Sequence, residues 1–222
     1  MKVELHAHTS ETSPCGNISA RKLVTMYEEK GYDAVVITDH YSKWVMDSNH
    51  ITKPWEFTEF FLNGYHSALN YAQSHKCNIK ILLGAEVSLL ESPNDYLLYG
   101  TDEEFFNQNP LLFKMPLKKL YKLCHKNGIL LVQAHPCRAY CTPADAHFLD
   151  GIEVYNGNPR HNSNNNKAYK LAEENGLIMT SGSDFHEEED LARGGIITED
   201  DFNSIHELTE ILKMGKYGII LV

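Results

Sequence analysis

Short apolar runs rich in Val, Ile and Leu recur along the chain, and most lead into a segment whose apolar residues have helical spacing. The runs predict strands at residues 2–6, 34–38, 80–87, 96–99, 128–133, 151–155, 177–180, 195–198 and 218–222. Continuous hydrophobic runs of this kind suit strands buried on both faces of a parallel sheet. Between them, residues 19–30 read as a helix with Ser19 as N-cap and Gly31 as its stop. Phe57, Phe60, Phe61, Tyr65, Ala68, Leu69 and Ala72 form one helical stripe, predicting a helix over 56–74. Further helices are predicted over 117–126, 166–174 and 202–214, each ending before an Asn-Gly pair or a Gly. Alternation through the whole length predicts an α/β fold, a barrel with an open doubly wound sheet as runner-up. No repeat or linker interrupts it, so residues 1–222 are expected to form one domain.

Composition narrows the class of function. Of 222 residues, 20 are basic and 30 acidic, for a net charge of −10. No basic excess is available to release counterions, which argues against nucleic acid as the main partner. Carboxylates and histidines suit metal cations instead, and twelve histidines are the compositional oddity. The N-terminal residues do not read as a signal peptide, and the longest apolar runs fall far short of the roughly 20 residues of a membrane span. Five scattered cysteines without a C-x-x-C pair fit reduced thiols. A cytoplasmic protein with no membrane partner is expected, and oligomeric state is left open.

Single motifs decide little, because twelve histidines supply short matches by chance. Asp145-Ala146-His147, for example, follows no buried strand and reads as a decoy. Position is more informative. Predicted strands end in His6-Ala7-His8, in Asp39-His40, in Glu86, in His135-Pro136 and in Asp184-Phe185-His186. In α/β barrels the C-terminal strand ends carry the active site. Imidazole and carboxylate ligands converging there predict a pocket for more than one divalent metal. His50, His66, His75, His125 and His206 fall in a polar loop or on helical stretches and read as surface residues.

His6-Ala7-His8-Thr9, Ile37-Thr38-Asp39-His40, Gly84-Ala85-Glu86, Ala134-His135-Pro136 and Gly182-Ser183-Asp184-Phe185-His186 resemble, in order, the motifs of the PHP (polymerase and histidinol phosphatase) superfamily. The resemblance implies a distorted seven-stranded, TIM-like β/α barrel and a metal-dependent phosphoesterase, histidinol-phosphatase-like in class. It implies one metal at His6, His8, Glu86 and Asp184, a second at Glu86 and His135, and a third at His40 and His186. Two or three divalent ions are expected, with Zn, Mn and Fe all compatible. The family often places Asp or His five or six residues after the second histidine of H-x-H, where this chain has Ser13 and Pro14. Glu11 and Cys15 are the alternatives for that ligand. Asp95 stands as an oxygen ligand to the second metal or a turn residue.

The expected reaction is hydrolysis of a small phosphomonoester by a metal-bridging hydroxide attacking in line. His135, His161 and Asp184 are the candidates for handling protons. Three of the four arginines, Arg138, Arg160 and Arg193, follow strand ends and are candidates to bind substrate phosphate, the first two preferred. Trp44 and Trp55 lie in a polar segment after His40 that could act as a lid, although Trp55 is expected to pack against the 57–61 helix. Two other activities remain open. One is a metal-dependent amidohydrolase on the same barrel. The other is a cysteine phosphatase built on Cys15 and Arg21, a C-x5-R string.

Overall fold

The computed structural model describes residues 1–222 and contains eleven strands and eight α-helices. The strands are β1 Lys2–Ala7, β2 Ala34–Ile37, β3 His40–Tyr41, β4 Lys80–Leu83, β5 Ala85–Ser88, β6 Asp95–Tyr99, β7 Leu130–Gln133, β8 Gly151–Asn156, β9 Ile178–Gly182, β10 Ile196–Ile197 and β11 Gly218–Ile219. The helices are α1 Ala20–Glu29, α2 Lys43–Ser48, α3 Pro54–Phe61, α4 Asn63–His75, α5 Glu103–Gln108, α6 Leu117–Lys126, α7 Asn165–Asn175 and α8 Ile205–Met214. Hydrogen bonding groups the strands into two sheets, β11-β10-β1-β2-β4 and β3-β5-β6-β7-β8-β9. The α/β class is as expected, but the ladders form two open sheets and not one closed ring. Nor is the sheet all parallel: β6 runs antiparallel to β5 and β7, and β10 antiparallel to β1 and β11.

The two sheets meet at two places. One is Gly84, where the single predicted strand over 80–87 divides. Its N–H still bonds Ile37 of β2, but a Cβ there would lie 2.8 Å from Val36 Cγ1 and 3.0 Å from the Leu98 carbonyl. Beyond it the chain leaves β2 and pairs with β3 and β6. At the second place, an isolated parallel bridge joins Ala7 of β1 to Phe185, just after β9. Gly182 makes that approach possible, since a Cβ on it would sit 2.3 Å from His6 Cβ.

Between the sheets lies a core of Val3, Leu5, Ala34, Val36, Leu97, Tyr99, Leu130 and Val132, closed at one end by Ile205, Leu208, Ile211 and Leu212 of α8. α8 packs against β6, with Gly100 just beyond it beside Thr209, and because β6 runs antiparallel to β5 and β7, α8 covers the end at which the parallel strands begin. The opposite, C-terminal strand ends are therefore left open for a site. Burial of this kind is worth about 25 cal/mol per Å² of apolar surface.

The helix predicted over 56–74 is two helices. α3 ends at Leu62, and α4 begins with Asn63 and Gly64, whose N–H bonds Thr12 Oγ1. The short strand β3 is anchored, because Tyr41 packs against Phe57 and Phe61 at 4.8 Å. The segment after it forms α2, capped by Ser42, a helix too short for its period to be read from sequence. Trp55 does not pack on the neighbouring phenylalanines as expected; it is 56% exposed and stacks only under Lys53. Its position in the first turn of α3 turns it outward. The Gly182→Ala variant is expected to lose about 1–3 kcal/mol of stability in chemical denaturation, because the added methyl must displace His6. Unchanged stability would show that the two sheets do not depend on this contact.

Candidate metal centre

Strand direction explains the clustering. β1, β2, β5, β7 and β9 all run toward the same end, so His6 and His8, Asp39 and His40, Glu86, His135 and Asp184 arrive there together. β6 runs the other way, so its first residue, Asp95, reaches the same end, in register with Ser88.

Glu86 is fully buried at the centre. Its Oε1 lies 3.4 Å from His6 Nε2 and 3.1 Å from His135 Nε2, and its Oε2 lies 3.3 Å from His8 Nε2. His40 Nδ1 approaches the same Oε2 at 2.9 Å without hydrogen-bond alignment. Asp184 Oδ1 stands 3.4 Å from His6 Nε2 and 3.5 Å from His8 Nε2. Three groups can each hold an ion: His6, His8 and Glu86; Glu86, Asp95 and His135; and His8, His40 and His186. Within each, the ligand atoms lie within 4.8 Å of one another. His6 Nε2, His8 Nε2 and Glu86 Oε2 are buried without a hydrogen-bond partner. Buried polar atoms are ordinarily satisfied, and a cation among these three would satisfy all of them. The donor set fits a metal.

The electrostatics are those of densely packed ligands. Burial alone would raise the Glu86 carboxyl, yet His6 and His40 outweigh it and hold it well below the usual carboxylate range. Asp184 is likewise held low against burial, by His6, His8, His186 and Arg138. Burial and the neighbouring His186 and His40 push His8 well down, favouring the neutral ligand form.

A layer beneath the ligands orients them, and sequence reasoning missed it. Glu153, fully buried on β8, places Oε1 2.8 Å from His6 Nδ1, so Nε2 faces the ion position. Its Oε2 accepts the His135 N–H and an Asn156 amide N–H, each at 2.9 Å. Such carboxylate–histidine pairs fix tautomer and ring orientation. Glu4 accepts the His6 and Ser183 N–H groups and the Tyr27 hydroxyl; burial pushes its carboxyl up to about 7. Asp39 accepts from Thr9 N–H and Oγ1 and from Ser13 Oγ, each at 2.7 Å, setting the loop between the H-x-H pair and His40. Gly64 packs so close that a Cβ would meet Asp39 Oδ2 at 2.1 Å. One signal was available: Glu4 and Glu153 are charges that interrupt otherwise apolar strands, where an unpaired carboxylate would be costly.

Backbone strain marks the same place. His135 and Asp184 have φ of 29° and 50°, in the left-handed region that such residues rarely adopt. The Glu153 bond to the His135 N–H and the Asn158 amide bond to the Asp184 carbonyl hold them there. Strain of this kind concentrates at functional sites.

Other expected residues divide. A cavity of about 450 Å³ opens over the ligands and is lined by Arg138, Arg160 and His161 as well as by Cys15, Tyr140 and Cys141. Arg138 donates to Asp184 Oδ2 at 2.6 Å and to Asn156 Oδ1 at 2.8 Å, which aims its guanidinium across the site. Arg160 reaches the cavity while pairing with Asp190 at 2.7 Å. Arg193 lies outside the cavity wall; its Nε donates to the Gly157 carbonyl, so it shapes the loop. Glu11 is also drawn away, because it accepts the Ala20 N–H at the start of α1. Asp95 sits with Glu86 and His135 and not in an isolated turn. Arg21 is exposed on α1, away from the cavity that Cys15 lines, so the C-x5-R string forms no phosphate cradle. Burial raises the Cys15 thiol, but contacts with His186 and His40 bring it down to about 7. His147 is exposed beside Asp145, as a decoy should be.

The Glu153→Gln variant replaces an acceptor facing the His135 N–H with a mixed amide that cannot accept at both oxygens' positions. Metal affinity in a chelator competition is expected to fall about 10–100-fold with the fold retained. An unchanged affinity would mean that Glu153 does not orient His6.

Comparison with known proteins agrees with this architecture. Residues 4–219 match the PHP domain family. No curated protein sequence matches the chain significantly. Among solved structures, a two-domain protein from Bacteroides vulgatus, containing a predicted PHP-like metal-dependent phosphoesterase, is similar in fold with a TM-score of 0.68 at 16% identity. The match covers 100% of this chain and 64% of that one, so this chain spans less than two thirds of it. An amidohydrolase from Chromobacterium violaceum, holding sulfate, gives a TM-score of 0.60 at 18% identity over 96% of this chain and 97% of its own. The lesion-specific endonuclease PfuEndoQ from Pyrococcus furiosus gives 0.64 at 14% identity, over 98% and 57%. With nearly its whole length matching the family, in the region that contains every ligand candidate, the chain belongs to the PHP domain family.

Proposed function

We propose that this chain hydrolyses a small phosphomonoester, with two or three divalent ions held by His6, His8, His40, Glu86, Asp95, His135, Asp184 and His186. The observation that carries the reading is the Arg138 guanidinium beside Asp184, within a cavity whose floor is the ligand cluster. A planar donor fork next to bound cations suits phosphate oxygens better than an amide carbonyl. Arg160 at the rim would add a second contact to the phosphoryl group. The net charge of −10 and the cavity's modest volume support a small substrate over a nucleic-acid duplex. Five free thiols support a reducing, cytoplasmic setting. No helix is long and apolar enough to cross a membrane. The same reading treats residues 1–222 as one domain, with β1, β2, β4–β5, β6, β7, β8 and β9 as the seven staves of a distorted barrel.

Bound divalent ions supply Lewis acidity and lower the pKa of bound water toward about 7. The chain's own groups do the rest. Arg138 orients the phosphoryl group for in-line attack, in which a water oxygen joins phosphorus as the bond to the ester oxygen breaks. His161, in the cavity wall and clear of the ligand cluster, is placed to give its proton to the departing ester oxygen. Burial, Arg138 and Arg160 lower its pKa, so the proton is given up more readily but is carried by a smaller fraction of molecules at neutral pH. His135 and Asp184 are engaged in the ligand cluster, which leaves His161 as the acid.

The reading predicts that His161→Ala slows alkyl phosphate hydrolysis about 10²–10⁴-fold, with much less effect on aryl phosphates whose leaving group needs no proton. Equal loss on both would remove His161 as the acid. A substrate panel with Zn²⁺ or Mn²⁺ tests the class itself. Turnover of small phosphomonoesters, abolished by chelation and impaired by Arg138→Ala, is expected. A metal-loaded protein inert to every phosphomonoester but active on an amide or a lesion-bearing duplex would contradict the proposal.

A further inference from the structure

The thiol of Cys15, one of two ligand alternatives by sequence, takes no part in the hydrolysis proposed above, yet it lines the same cavity as His40 and His186. We infer that Cys15 is a thiolate ligand, sharing with His40 and His186 the ion position on the outer side of His8. The inference deepens the metal-dependent reading above and rests on it. His8, His40 and His186 offer ring nitrogens within 4.8 Å of one another, but His8 Nε2 faces Glu86 and Asp184 at 3.3 and 3.5 Å, so His40 and His186 are the imidazoles left for this position. The His8 ring stacks on His40 at 4.4 Å and on His186 at 4.2 Å, so it lines one side of this position. His186 gives its Nδ1 to the Asp184 carbonyl at 2.8 Å, which leaves Nε2 for a ligand. A third donor is needed on the loop side.

The loop between β1 and α1 supplies it. Ser13 is spent on Asp39 and on the His40 N–H, Pro14 has no donor, and Glu11 caps α1. Cys15 is the remaining metal-ligating side chain on that loop. Its neighbours hold it in place: the Asn17 N–H bonds the His186 carbonyl and the Gly16 N–H bonds the Ser13 carbonyl, both at 2.9 Å. Gly16 itself lies against the Thr9 carbonyl, where a Cβ would come within 2.9 Å.

The consequence is selectivity. Glu86, Asp95 and His135 form an oxygen-rich group, which suits Mn²⁺ as well as Zn²⁺. A nitrogen–sulfur position favours Zn²⁺, Co²⁺ or Cd²⁺ and discriminates against Mn²⁺ and Mg²⁺. The chain would then hold chemically different ions within one centre.

Cobalt loading of the full chain reads this directly, since thiolate–Co²⁺ bonds give near-ultraviolet charge-transfer absorption. The band is expected in the wild type, lost in Cys15→Ser and kept in Cys141→Ser, whose thiol lies near His135. In the wild type, Zn²⁺ should slow alkylation of Cys15, followed by peptide mapping, about tenfold, and Mn²⁺ should slow it far less. A band that survives Cys15→Ser, or Cys15 alkylation at the same rate with and without Zn²⁺, overturns the inference. Neither readout uses turnover. A Cys15-dependent band in a protein that hydrolyses no phosphate ester supports the ligand and refutes only the substrate class. Hydrolysis without the band does the reverse.

Discussion

The structure turns on one buried carboxylate. Glu86 is fully buried, and four histidines approach it within 3.4 Å. Removing such a charge from water costs several kcal/mol unless cations or strong donors replace the solvent. The rest of the site can be understood as the answer to that cost. Histidines from three strands converge on the carboxylate, Asp184 adds a second negative charge, and Arg138 compensates it. Positive charge at the centre of this cluster is what makes so many ligands in one place stable.

The support for that arrangement extends outward in shells of hydrogen bonds. Glu153 ties His6 to the His135 backbone, Glu4 ties β1 to Ser183, and Asp39 ties the H-x-H loop to the strand before His40. Each connects two or more chain segments, so displacing one ligand would break bonds that position another. Two glycines permit the close packing this needs. Gly182 brings the end of β9 against His6, and Gly64 brings α4 against Asp39. Function constrains the fold here more tightly than hydrophobic packing does, since the α8-capped core would tolerate other apolar residues of similar volume.

Much of this was legible in the sequence because ligand residues sit at the ends of apolar runs, and strand direction then delivers them to one place. Long, strongly periodic helices such as α1 and α6 were equally clear. What was not legible depended on tertiary contacts. The run over 80–87 gave no sign that Gly84 would hand it from one sheet to the other. The aromatic stripe over 56–74 concealed a break, because the stripe continues across Leu62 while the backbone turns toward Thr12. Short helices such as α2 and α5 span too few turns to show a period. Arginines after strand ends looked alike, and only the loop geometry separates Arg138, turned inward to Asp184, from Arg193, bonded to Gly157. Buried acids beneath the ligands were overlooked because they occupy strand interiors, although their charge in an apolar run was a visible sign.

The most direct test of the account is a crystal structure of the metal-loaded protein, with anomalous diffraction collected at the absorption edges of zinc and manganese. It should place one ion on His6, His8, Glu86 and Asp184, and another on Glu86, Asp95 and His135. The two should be about 3.5–4 Å apart, with the Glu86 carboxylate bridging them. A protein that binds no ion at these residues, or in which Glu86 contacts none of the ions bound, would contradict it.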